Sequence, residues 1–228
     1  MPTVRELGLL ANAVYDDSPA VDGWTTAYRH AAGGHLDGFQ AATFVKEGTT
    51  VLAFRGTAQA MDAVADFKLG TGMNSTYFDA AENYANPYVG RSNVFITGHS
   101  LGGAITQVVA NRRGFKFATF NAPGVAVLAS RNIGSATLAM TGVRVVGMMA
   151  STLRHPIQAV RDVASAFNTV HGLNVCLEND VVSQIGVHYG EIIRIPGTSS
   201  NPLTEHRMTT MNSVLEGNPV GSREVSAM

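Results

Sequence analysis

Residues 94–112 read VFITGHSLGGAITQVVANR, and this stretch decides the fold. Val94-Phe95-Ile96 is a short apolar run suited to a buried strand, and residues 101–112 read as a helix. Between them lies Gly98-His99-Ser100-Leu101-Gly102-Gly103, a G-x-S-x-G at a strand-to-helix turn. The requirement is steric. In so sharp a turn a side chain at either flanking glycine collides with the neighbouring strand or helix, and the strained serine is lifted out of the sheet. The N-terminus of the helix adds partial positive charge where an oxyanion would develop. A glycine-rich turn without chemistry is the bland alternative, and the full GHSLGG in this context outweighs it.

Outward from this turn, strand and helix alternate. Thr3 and Glu6 form a capping box, and Leu7, Leu10, Ala11 and Val14 recur at helical spacing, so residues 4–15 read as an amphipathic helix. Residues 39–45 and 49–54 flank Glu47-Gly48 as a β-hairpin. Residues 60–67 and 77–84 read as short helices, and 115–120, 170–177 and 192–195 as strands. Pro156 opens a further helix. Asn201-Pro202 is an N-cap with proline at the first helical position, which predicts one helix over 202–215. Such alternation implies βαβ units, a mostly parallel sheet flanked by helices, and an α/β fold class. The domain is expected over residues 1–216. Residues 125–168 form an apolar, Met-rich insertion or cap, and 217–228 a flexible tail.

A chain of 228 residues is one ample domain, and with 45% apolar residues it can fill a large core. Its formal net charge of -1 supplies no field for a phosphate backbone, so nucleic acid is not an expected partner. The single cysteine, Cys176, excludes an internal disulfide. No stretch reads as a signal peptide or a spanning helix, so the protein is expected in the cytoplasm or exported by a signal-independent route. Charged residues are only 14%, which leaves transient contact with a membrane surface open.

Ser100 is a weak nucleophile by itself and needs a base, which in turn needs an orienting carboxylate. With the chain order serine, acid, histidine, the later carboxylates are Asp162, Glu178, Asp180, Glu191 and Glu205. Asp180 stands just past a predicted strand, where sites on parallel sheets gather. Glu178 is its rival, and Asp162 belongs to a solvated helix face. The bases on offer are His188 and His206, with His206 preferred. The oxyanion calls for two N–H donors: that of Leu101, after the nucleophile, and one from an earlier strand end, where Ala53-Phe54-Arg55-Gly56-Thr57 is placed by type and order. The remaining histidines, His30, His35, His155 and His171, lack metal spacing, and neither metal nor cofactor is expected.

The segments AFRGT, a short helix with Asp62 and Asp66, FITGHSLGGA and FATFNAPGV together resemble the class 3 (fungal-type) lipase family of α/β-hydrolases. The family's Asp in a D-x-V context falls on Asp180, its Y-x-H-x-G-x-E-like strand entry on His188-Tyr189-Gly190-Glu191, and its late histidine on His206. The resemblance spans about residues 50–206. It implies a single α/β-hydrolase domain with Ser100, Asp180 and His206 catalytic, Thr57 and Leu101 at the oxyanion hole, and His188 a structural neighbour. Two departures stand out. The interval from Thr57 to Ser100 is short, so the usual lid is expected to be reduced or missing, with 125–168 expected to cover the site instead. Members without a secretion signal resemble intracellular lipases, or effectors delivered by bacterial secretion machines, which would have a cognate inhibitor or secretion partner.

The expected activity is that of a serine carboxylester hydrolase on lipid esters, of lipase or phospholipase type, through an acyl-enzyme. Thioesterase and acyltransferase chemistry would use the same residues. A catalytically inactive binding module on the hydrolase fold is the non-enzymatic alternative, and the intact Ser100, Asp180 and His206 count against it.

Overall fold

Seven strands lie side by side in chain order in the computed structural model, which describes residues 1–30, 39–56, 75–125 and 171–225. They are β1 (Thr25–His30), β2 (Ala41–Lys46), β3 (Thr49–Phe54), β4 (Val94–His99), β5 (Lys116–Phe120), β6 (Gly172–Leu177) and β7 (Glu191–Ile195). The first three pair antiparallel, and every pair from β3 to β7 is parallel. The helices are α1 (Val4–Ala13), α2 (Ser75–Ala85), α3 (Leu101–Arg113), α4 (Pro202–His206) and α5 (Met208–Gly217).

Alternation across the pleat separates two cores. Phe44, Phe95, Phe120 and Val175 face α1 and α5, meeting Leu7, Leu10, Met211 and Leu215. Leu52, Phe54, Ile96 and Phe117 face the opposite side, against Ala81 and Ala85 of α2 and Ile105 and Val108 of α3. A sheet covered on both faces has no polar side, which is why every residue of β4 and β6 is buried. This is the expected α/β architecture, a mostly parallel sheet between two helical layers.

The local signals hold. Thr3 and Glu6 make the capping box of α1. Glu47 and Gly48 both have positive φ, 47° and 77°, which is the turn chemistry of a tight hairpin between β2 and β3. Three departures have physical causes. Strand β1 was not expected from TTAYRH, because an edge strand with no fully buried residue carries no alternating apolar signature. The helix expected over 202–215 is two, broken at Arg207, whose backbone is extended (ψ 139°). The tail expected from residue 217 is ordered through Val225: a 3-10 turn at Pro219–Ser222 leads back to α1, Val4 N–H donates to Arg223 O, and Val225 is buried. The expected helices at 60–67 and after Pro156, the cap at 126–168 with its methionines, and Thr57, Asp62, Asp66 and Asp162 lie outside the described residues.

Register brings the carboxyl ends of the central strands together. Phe54 lies opposite Gly98, His99 opposite Phe120, and Phe120 opposite Val175. Gly56, Ser100, Asn121 and Asp180 therefore emerge along one edge of the sheet.

Candidate active site

Strand β4 ends at His99 and α3 begins at Leu101, leaving Ser100 as the whole connection. Its backbone is driven to φ 56° and ψ -127°, a strained conformation for a residue with a Cβ. It is held there from both sides: Ser100 N–H donates to Phe120 O (3.1 Å), while its carbonyl accepts from Gly103 (3.0 Å) and Ala104 (3.1 Å). The glycines are spatial necessities. A Cβ on Gly102 would run into the Phe54 carbonyl, and one on Gly98 into the Gly102 backbone.

His206 closes α4, whose start is set by the Asn201 cap and Pro202. Its Nε2 lies 3.0 Å from Ser100 Oγ and its Nδ1 2.8 Å from Asp180 Oδ1. Asp180 follows β6 in a turn that turns two backbone donors on its carboxylate: Ser183 N–H to Oδ2 (2.8 Å) and Val182 N–H to Oδ1 (3.4 Å). All three side chains are buried, with residue exposures of 1% for Ser100, 2% for His206 and 0% for Asp180. This geometry fixes the tautomer. A carboxylate only accepts, so Nδ1 carries the proton and Nε2 is left to accept from the serine hydroxyl.

The rival carboxylates and His188 lie apart from this line of bonds. Glu178 is exposed, and its carbonyl accepts from the Gln184 side chain. His188 Nε2–H donates to Ala122 O (2.8 Å), and burial holds that imidazole below its ordinary pKa. Glu191 is exposed. Glu205 is buried beneath the loop before α4, its Oε1 accepting from Thr198 (2.9 Å) and Ser199 (2.6 Å) N–H. Leu101, first residue of α3, has an N–H without an intrahelical partner by position. Gly56 N–H is taken by Tyr15 Oη (3.2 Å), so the second oxyanion donor is not Gly56.

Three side chains at this edge had no role in the sequence reasoning: Tyr15, His99 and Asn121. His99 was in view inside GHSLGG but nothing local marks it. Its ring is buried against that of His206, with centroids 4.8 Å apart, and burial, then the neighbouring His206, push its pKa down to about 3. Among the described residues no cluster of His, Cys, Asp and Glu could hold a metal ion, and no helix is long and apolar enough to cross a membrane.

The model of the Tle-like phospholipase domain family matches residues 6–147. That span includes Ser100 and ends before Asp180 and His206. The extracellular phospholipase A1 of Serratia liquefaciens is 32% identical over 126 residues, 54% of this chain and 38% of that protein. The chain thus matches well under half the length of this curated relative. Among solved structures, the Lip2 lipase of Yarrowia lipolytica overlaps with a TM-score of 0.48 at 16% identity, covering 88% of this chain and 80% of that one. A triacylglycerol lipase of Penicillium expansum gives 0.46 at 14%, covering 87% and 83%. Overlaps of that size carry no weight for activity.

Proposed function

The chain belongs to the Tle-like phospholipase family, and from that premise we propose that it is a serine carboxylester hydrolase acting on lipid esters, phospholipids in particular. The observation that carries this reading is the unbroken line Ser100 Oγ, His206 Nε2, His206 Nδ1, Asp180 Oδ1, at 3.0 and 2.8 Å, on a strained strand-to-helix turn.

Ser100 Oγ attacks the ester carbonyl carbon as its proton passes to His206 Nε2. Asp180 holds the imidazole in the tautomer that can receive it and stabilises the imidazolium that results. The oxyanion is assigned to the Leu101 N–H at the positive end of α3 and, on the resemblance carried by AFRGT, to the N–H of Thr57. His206 then returns the proton to the departing alkoxide, a lysophospholipid oxygen, leaving the acyl group on Ser100. Water, deprotonated by His206, releases the fatty acid. The apolar segment 125–168 is assigned the acyl wall on its composition, and its methionines suit varied chains.

The name of the Serratia relative supports release of the sn-1 chain. Incubation with mixed-chain phosphatidylcholine vesicles, with products read by mass spectrometry, tests this. A free fatty acid from the sn-1 position, lost in Ser100→Ala, is expected. Purified protein that is not labelled at Ser100 by a fluorophosphonate would overturn the hydrolase reading. Labelling without phospholipid hydrolysis would overturn the substrate class.

A further inference from the structure

The imidazole of His206 hangs on the last residue of a five-residue helix. Helices this short do not hold themselves, and their last carbonyls have no intrahelical partner. Both final carbonyls of α4 are instead gripped from the sheet. Glu205 O accepts from Asn121 Nδ2–H (2.8 Å), and His206 O accepts from the His99 ring at Nε2 (2.7 Å). The donors stand at the carboxyl ends of the adjacent strands β5 and β4.

Each grip closes a ring around one of the two hydrogen bonds of the reacting set. His99 is bonded through the chain to Ser100, so the path Ser100, His99, His206 carbonyl, His206 imidazole returns to Ser100 Oγ. Asn121 has a second arm: its Oδ1 accepts from Leu177 N–H (2.9 Å), at the end of the strand that leads into Asp180. The path Leu177, Asn121, Glu205 carbonyl, His206 imidazole returns through Asp180. One side chain spans nucleophile and base, the other base and acid.

The roles of the His99 nitrogens are determined. A carbonyl only accepts, so Nε2 bears the proton and Nδ1 accepts. It does so from Tyr15 Oη–H (3.0 Å), whose oxygen accepts from Gly56 N–H (3.2 Å). Burial disfavours the charged ring, as the arrangement requires. Asn121 holds a left-handed backbone (φ 44°), the region that favours glycine. A strained asparagine there makes two buried bonds that glycine cannot.

We propose that His99 and Asn121 are positioning residues that fix the His206 imidazole from the sheet, His99 setting its approach to Ser100 and Asn121 its approach to Asp180, with Tyr15 tying the clamp to the strand end at Gly56. The inference rests on the reading of Ser100, His206 and Asp180 as the reacting groups.

The test uses the full chain and two probes, a fluorophosphonate for Ser100 and phosphatidylcholine vesicles for turnover. Asn121→Gly tolerates the left-handed backbone and removes both bonds. It should keep the fold, as read by melting, while labelling rate and kcat fall on the order of tenfold to a hundredfold, because small misplacements of a reacting group cost that much. KM should not move. The low-field proton resonance of His206 Nδ1–H should shift in Asn121→Gly. His99→Leu should lose labelling rate similarly, and His99→Gln, whose amide can donate to the His206 carbonyl, should recover much of it. If His99→Leu fails to fold, the Asn121→Gly and His99→Gln comparisons with the parent carry the test. Folded variants that label within about twofold of the parent, or losses that fall on KM alone, overturn the clamp. A parent protein that is not labelled at Ser100 overturns the hydrolase reading and the clamp with it, an outcome distinct from equal labelling in all variants.

Discussion

Acidification should unfold this protein partly through His99. The imidazole is enclosed by Tyr15, the His206 ring and the His206 carbonyl, with Asp180 the nearby negative charge, and both ring nitrogens are already used. Burial and the neighbouring His206 hold its pKa at about 3 against an ordinary value of 6.5, although the His206 carbonyl and Asp180 pull the other way. The unfolded chain therefore takes up a proton below pH 6.5 that the folded chain refuses down to about pH 3. Stability is fully present above 6.5 and is lost as pH falls through that window, at about 1.4 kcal/mol per pH unit once the unfolded form is protonated. At pH 5 the loss from this one residue is about 2 kcal/mol, and at pH 7.5 close to nothing. Other groups titrate as well, so the useful quantity is a difference. Urea unfolding of parent and His99→Gln at pH 7.5 and pH 5 gives two stability gaps. The gap should shrink, or reverse in favour of the variant, by about 2 kcal/mol on going to pH 5. An unchanged gap would show that His99 is not held neutral by its surroundings.

Further outcomes are expected from the same geometry. Ser100→Ala should lower ester turnover by ~10⁵-fold or more and change stability by less than about 1 kcal/mol, as measured by product release and urea unfolding. Asp180→Asn should cost on the order of 10⁴-fold in kcat because an amide can impose the wrong histidine tautomer, whereas Glu178→Gln, on an exposed carboxylate, should stay near the parent rate. His206→Ala should likewise lose about 10³-fold or more and His188→Ala far less, and the reverse order would reassign the base. Gly102→Ala should cost about 3 kcal/mol, since its methyl group meets the Phe54 carbonyl and backbone cannot step aside as a side chain does. Cys176, buried and with its thiol pushed up to about 11 by desolvation, should resist alkylation at pH 8 until the protein is unfolded.

What could be read along the chain was whatever depends on near neighbours in it. The Ser100 turn is legible because the glycines that permit it stand within two residues of it, and the clash they avoid is built into any strand-to-helix reversal this sharp. The capping box of α1 and the Glu47-Gly48 hairpin are local in the same way, each a few residues bonding to themselves. Asp180 could be preferred over Glu178 because a position past a strand end differs from one at its end. The exposed edge strand β1 was missed because it buries no face, and a pattern detected by burial is silent where nothing is buried.

Tertiary structure alone decided the rest. The break at Arg207 divides a segment whose helical propensity is continuous, and it is the α4 carbonyls, bonded to His99 and Asn121, that take up the end of the shorter helix. The packing of residues 219–225 against α1 depends on contacts with a segment more than two hundred residues away, which no local composition reports. The same holds at the candidate site. Histidine and asparagine at 99 and 121 are unremarkable in sequence, since a donor acquires meaning only from the acceptor it faces. Those acceptors, 107 and 84 residues away, were brought into range by the parallel register of β4, β5 and β6. Chemistry that the chain carries within one turn is written in the sequence. Chemistry that requires distant segments to meet is settled by the sheet that joins them.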